Sequence, residues 1–202
     1  GFGAKREMGL ASFHVGHAFT FSGSYEMPWG KGRRMGANMN PVANAILGGW
    51  STNWILTLYG GQPVTIGCPQ GTGAGTGCYA FLTGEEAYVK KVEQWWNPAA
   101  FRQPPAVQTR GQQDFSPLGG YRTPVLGPPF RKMDFSLFKD FNITERYRLQ
   151  FRAESFNLTN TPAFANPSFR NFVDARNFGR ITATRNNPND ARQVQLALKL
   201  YF

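Results

Sequence analysis

The chain has 202 residues with a formal net charge of +10, only 17% charged residues and 15% aromatic ones, 18 of them Phe. So many aromatic side chains beside so few charges exclude a disordered polypeptide. The cations are spread along the chain, with Lys31, Arg33 and Arg34 the densest group, whereas a nucleic-acid face gathers them, so no nucleic-acid partner is expected.

Mean hydropathy is −0.40, and no apolar run approaches the roughly 18 residues of a membrane helix. A membrane-crossing strand leaves the same faint trace, because half of its residues face water. Residues 1–16 show no period and read as the tail of a loop, without the charged and apolar regions of a secretory leader. The first strand is predicted over 17–27, where Phe19, Phe21, Tyr25 and Met27 alternate with Thr20, Ser22, Ser24 and Glu26. Residues 28–48 are polar and turn-rich. A second strand is predicted over 49–66, with Trp50, Thr52, Trp54, Leu56 and Leu58 on one side and Ile55 as the mismatch. Gly60-Gly61-Gln62-Pro63 bends or bulges it before Val64 and Ile66 resume the parity.

Residues 67–131 read as a long loop, with Gly-rich and Pro-rich stretches and no period. A third strand is predicted over 132–141 and a fourth over 146–158, separated by a short turn. In the fourth, Tyr147, Leu149, Phe151 and Ala153 oppose Arg148, Gln150, Arg152 and Glu154. Strict parity puts Phe156 and Leu158 on the charged side, a conflict that packing under loops or a bulge would resolve. A second polar loop covers 159–190. The last strand, 191–202, sets Val194, Leu196, Leu198, Leu200 and Phe202 against Gln193, Gln195, Ala197, Lys199 and Tyr201.

Strands with one apolar and one polar face, joined by very unequal connections, fit an all-β antiparallel fold that forms part of a large transmembrane barrel. Short connections belong at the periplasmic side and long ones outside, so the last strand runs down to a periplasmic rim at Phe202; the 28–48 connection is long for that side. Five strands cannot close a barrel, so the rest of the wall is expected from elsewhere. Arg148, Gln150, Arg152, Glu154 and Lys199 would then line the lumen, interlocking with each other or holding a plug before they touch any ligand.

Several short stretches, in this order, carry a family resemblance: Leu47-Gly-Gly-Trp50, Gly61-Gln-Pro-Val-Thr-Ile66, Trp96-Asn-Pro-Ala-Ala-Phe101, Asp134-Phe-Ser-Leu-Phe-Lys139, Glu154-Ser-Phe-Asn-Leu158 and Phe178-Gly-Arg-Ile181. With the terminal strand they resemble the C-terminal end of TonB-dependent outer-membrane receptors. The nearest likeness is to the Oar-like branch, whose members carry a carboxypeptidase-regulatory-like domain. The resemblance implies a barrel of about 22 strands, a plug and N-terminal domains absent here, and an inner-membrane energy complex as partner. It further implies that Phe202, Leu200 and Leu198 are read by the barrel assembly machinery. Outer-membrane lipid and lipopolysaccharide are the other expected partners, with a ligand whose nature the sequence does not disclose.

Other chemistry is weak. His14 and His17 stand three apart with no helical period around them, and Gly71 to Gly77 lacks the Lys-Ser/Thr ending of a phosphate loop. No nucleophile–base–acid set emerges, so neither an enzyme nor a cofactor is expected. Cys68 and Cys78, the two cysteines, fall in one putative external loop, where an oxidising compartment favours a disulfide. An adhesin or porin-like barrel and a soluble basic β-domain binding polyanions are the competing readings.

Overall fold

The computed structural model describes residues 9–67, 79–103, 125–185 and 190–202. Cys68, Cys78 and the glycines from Gly71 to Gly77 lie outside these residues. The described residues contain nine strands: β1 (Ala18–Glu26), β2 (Trp50–Tyr59), β3 (Pro63–Val64), β4 (Phe81–Leu82), β5 (Phe101–Arg102), β6 (Val125–Leu126), β7 (Phe130–Asn142), β8 (Arg148–Phe156) and β9 (Gln193–Tyr201). One short helix, α1 (Pro41–Leu47), lies between β1 and β2.

Two compact units share these elements. The first to consider holds a five-stranded sheet in the order β1-β2-β7-β8-β9, an antiparallel meander in which each strand pairs with its neighbour in the list. Met27 N–H donates to the Trp50 carbonyl where β1 turns into β2, at 2.9 Å. β8 and β9 pair without interruption from Arg148↔Tyr201 to Phe156↔Gln193, and β7 pairs with β8 from Phe135↔Ser155 to Asn142↔Arg148. No bulge interrupts β8, so Phe156 stays in the charged set. The strand ends at Phe156 because Asn157, the next residue, takes a left-handed φ of 52°, which breaks the alternation before Leu158.

Asn157 is buried and its polar groups are occupied. Its N–H donates to Asp134 Oδ1 at 2.8 Å, its Nδ2 donates to the carbonyls of Thr161 and Asp190 at 3.0 and 2.7 Å, and its Oδ1 accepts from Thr161 N–H at 3.1 Å. This one residue therefore ties β7 through its backbone N–H, and the end of β8 to the approach to β9 through its side chain.

The second unit corrects the expectation of long structureless loops over 67–131 and 159–190. Its described parts fold around Trp96, Phe101, Phe172 and Phe178 with Val64, Ile66 and Val125. Phe101 and Phe178 meet edge to face with centroids 5.2 Å apart. Two small antiparallel pairs frame this core, β3 with β6 and β4 with β5. The predicted 49–66 strand accordingly ends at Tyr59, and Pro63–Val64 leaves to pair with Val125–Leu126. The physical reason is that aromatic anchors placed irregularly in long connections bury enough apolar area to hold them.

Local chemistry completes this unit. Asn97 Oδ1 accepts from Ala99 N–H at 3.1 Å and caps the 3₁₀ turn Pro98–Ala100. The indole N–H groups of Trp95 and Trp96 both donate to the Leu126 carbonyl, at 3.2 and 3.1 Å. Gly179 has φ +77° and an added Cβ would lie 2.7 Å from the backbone nitrogen of Trp96, so only glycine fits beside that stretch of backbone. Arg185 donates to the Phe164 and Pro128 carbonyls at 3.1 and 2.7 Å, and burial lowers its pKa from the usual arginine value.

Asn157→Ala removes three side-chain hydrogen bonds from a buried junction. It is expected to destabilise the protein by about 2–3 kcal/mol, since each buried group left unpaired costs about 1–3 kcal/mol. Denaturant unfolding, compared with that of Asn160→Ala, checks the size.

Candidate functional site

The sheet has two opposite faces, and the strand register assigns β8, β9 and β7 from Phe135 onward to one or the other. Directly paired residues share a face. Leu149, Phe151 and Ala153 of β8 therefore stand with Leu200, Leu198 and Leu196 of β9, and with Phe141, Lys139 and Leu137 of β7. On β9 this set is open to the surroundings, with Leu196 66% and Leu198 68% exposed. On β1 and β2, Phe21 and Trp54 stand with ring centroids 6.3 Å apart. A contiguous exposed apolar face this broad needs a nonaqueous neighbour.

The opposite face holds Arg148, Gln150, Arg152 and Glu154 of β8, with Lys199 and Tyr201 of β9 and Asp140 of β7. These groups engage each other. Gln150 Nε2 donates to Asp140 Oδ1 at 3.0 Å, and Arg148 Nε lies 3.9 Å from the same oxygen. Arg152 Nη2 donates to Glu154 Oε1 at 2.9 Å, while its guanidinium covers the Phe138 ring at 5.1 Å. Tyr201 O–H donates to Gln150 Oε1 at 3.4 Å, and Arg148 and Lys199 approach the Tyr201 ring at 4.4 and 4.6 Å. The five polar residues singled out in the sequence thus share one face, on which cations outnumber carboxylates and neighbouring side chains engage each other.

Two residues break the sequence pattern. Phe138 falls on the polar face, where Arg152 shields it. Lys139 falls on the apolar face yet is 3% exposed. Its Nζ donates to the Gly48 carbonyl and sits 5.6 Å from the Trp50 ring and 4.9 Å from the Phe141 ring. Snorkelling along apolar neighbours to one carbonyl satisfies a cation on such a face. Gly49 makes this possible: its φ is +72°, and an added Cβ would lie 2.6 Å from the Asp140 carbonyl oxygen. Sequence reading missed Lys139, because alternation marks it only as an exception; the Leu-Gly-Gly-Trp stretch was the available signal.

The remaining sequence candidates are dispersed. Leu198 and Leu200 lie on the open apolar face, and Phe202 continues their parity at the chain end, exposed. His14 and His17 are exposed loop residues. Among the described residues no three His, Cys, Asp or Glu side chains come together as a metal set.

A family model described as an outer membrane beta barrel domain matches residues 2–195. No curated protein and no solved structure matches the chain.

The two faces differ sharply in their tolerance of charge. Leu196→Arg puts a cation on the apolar face next to the strand midpoint and is expected to cost about 2–4 kcal/mol in a bilayer. Ala197→Arg points into the polar lining and is expected to cost much less. Denaturant titration of the two variants of the full-length protein, inserted in phospholipid vesicles, gives the comparison.

Proposed function

This chain belongs to the outer membrane beta-barrel domain family and resides in the bacterial outer membrane, and from that premise we propose that it forms barrel wall of a TonB-dependent receptor of the Oar-like type. In this reading the chain contributes to energy-coupled passage of a ligand and performs no catalysis itself. The observation that carries the proposal is where the resembling stretches fall. Leu47 to Trp50 and Asp134 to Lys139 build the Lys139 junction, Glu154 to Leu158 builds the Asn157 junction, and Trp96 to Phe101 with Phe178 to Ile181 build the aromatic core. The resemblance therefore extends to the places where the fold depends on particular residues.

Within that receptor the polar face would line a water-filled interior. Its mutually bonded charges would give a plug or a passing solute a fixed polar wall. The proposed partners are membrane lipid, lipopolysaccharide, the assembly machinery and a TonB complex reached through segments outside residues 1–202. Cys68 and Cys78 would be joined, closing one external loop.

Two measurements test the proposal in the full-length protein. A cysteine at position 196 should react with a lipid-soluble maleimide and resist a water-soluble one, with position 197 showing the reverse; closure of position 196 to both would place it in a protein core. In cells, site-specific cross-linking should trap the N-terminal region on TonB. Correct lipid labelling without any such adduct would leave a barrel of the adhesin or porin kind.

Removal of Phe202 should lower the amount of inserted protein several-fold, with the uninserted remainder degraded. Immunoblots of outer-membrane fractions measure this. Normal insertion without Phe202 would mean that the terminal strand is not the assembly signal.

A further inference from the structure

The connection between β1 and β2 is long for its position, and its structure is specific. The antiparallel order puts the end of β1, the start of β2, the 143–147 turn and the end of β9 at one rim of the sheet. Short turns mark the periplasmic rim of an outer-membrane barrel. Asn40 caps α1 by accepting from Ala43 N–H at 2.7 Å, with Pro41 in the first turn. Asn44 Oδ1 accepts from Lys31 N–H at 2.7 Å, and Trp29 Nε1 donates to Met35 Sδ at 3.2 Å.

The side of the sheet on which α1 lies follows from two bonds. Lys139 belongs to the apolar face, and its Nζ reaches the Gly48 carbonyl, directly after the helix. The Trp50 ring packs against Lys139, and its Nε1 donates to the Ile46 carbonyl at 2.9 Å. The helix is therefore held against the apolar face at the rim, away from the polar lining. Yet it leaves its own apolar residues uncovered: Val42 is 71% and Ile46 63% exposed, one turn apart, with Leu47 beside them.

The same connection is basic. Residues 27–49 contain Lys31, Arg33 and Arg34 and no Asp or Glu. Arg33 pairs with Glu26 at 2.9 Å, on a rather exposed pair of side chains. Apolar side chains beside cations on the membrane side of a rim match one neighbour, the headgroup zone of a leaflet containing anionic phospholipid.

We infer that residues 27–49 form a membrane-surface anchor, with Val42, Ile46 and Leu47 of α1 among the upper acyl chains of the periplasmic leaflet and Lys31 and Arg34 on anionic phospholipid phosphates. The inference rests on the barrel reading for its orientation. Each cation near an anionic surface strengthens the segment's association with it roughly fivefold.

The test uses the full-length protein in phosphatidylcholine vesicles with and without phosphatidylglycerol. In a Cys68→Ser, Cys78→Ser background, a polarity-sensitive fluorophore is attached at Ile46→Cys, and in separate samples at Glu145→Cys and Leu196→Cys. The label at 46 should emit to the blue of that at 145 and be quenched by brominated lipid, more strongly by brominated phosphatidylglycerol than by brominated phosphatidylcholine. Lys31→Gln, Arg33→Gln and Arg34→Gln together should bring that ratio to one. A label at 46 quenched by aqueous iodide while that at 196 is lipid-quenched overturns the anchor and leaves the barrel. Water exposure at both 46 and 196 overturns both readings. Lipid quenching at 46 with no phosphatidylglycerol preference overturns the phosphate contacts.

Discussion

The structure depends on the continuous pairing of β8 with β9. Nine successive residues of each strand face each other without a bulge, from Arg148↔Tyr201 to Phe156↔Gln193. Side chains alternate with a period of two, so a slip by one residue would send every leucine of β9 to the charged side. In a bilayer the same ladder has a second duty, because no water is available to satisfy an unpaired N–H or C=O. Register and burial of the backbone are therefore one constraint, and the separation into apolar and polar faces follows from it.

Alternation has to stop somewhere, and at both rims particular side chains take over. Where β8 ends, Asn157 turns the chain and occupies the polar groups that the ladder no longer serves. Where β2 begins, Gly49 allows the close approach that lets Lys139 reach Gly48. In each case a buried polar side chain is tolerated because its partners are backbone groups that would otherwise stay unpaired.

How much of this was legible follows from period. The strands show in the sequence because alternation in Tyr147 to Glu154 and Val194 to Phe202 is regular, and the polar residues of β8 with Lys199 could be assigned to one face by counting. The aromatic core of the second unit could not. Trp96, Phe101, Phe172 and Phe178 follow no repeat, and what brings them together is contact between segments far apart in the chain. Ile66 reads as part of a continuing strand because its parity fits; Gly61 and Pro63 signal a break but not a new partner. The helix α1 is too short for a helical period to emerge, and its cap, Asn40-Pro41, was hidden in a turn-rich stretch. Lys139 and Phe138 occupy each other's expected faces, which only the register with β8 reveals.

The aromatic core joins two segments, one before β7 and one after β8. Phe101 and Phe178 stand on opposite sides of that β-hairpin in sequence, yet touch edge to face. The core cannot close until Phe178 has emerged and the hairpin has brought its flanks together. Its contact order is high, and loop closure must be met before any packing is gained. Completion of the aromatic unit is thus a late event in the life of the nascent chain, and a chain truncated before Phe178 lacks it altogether.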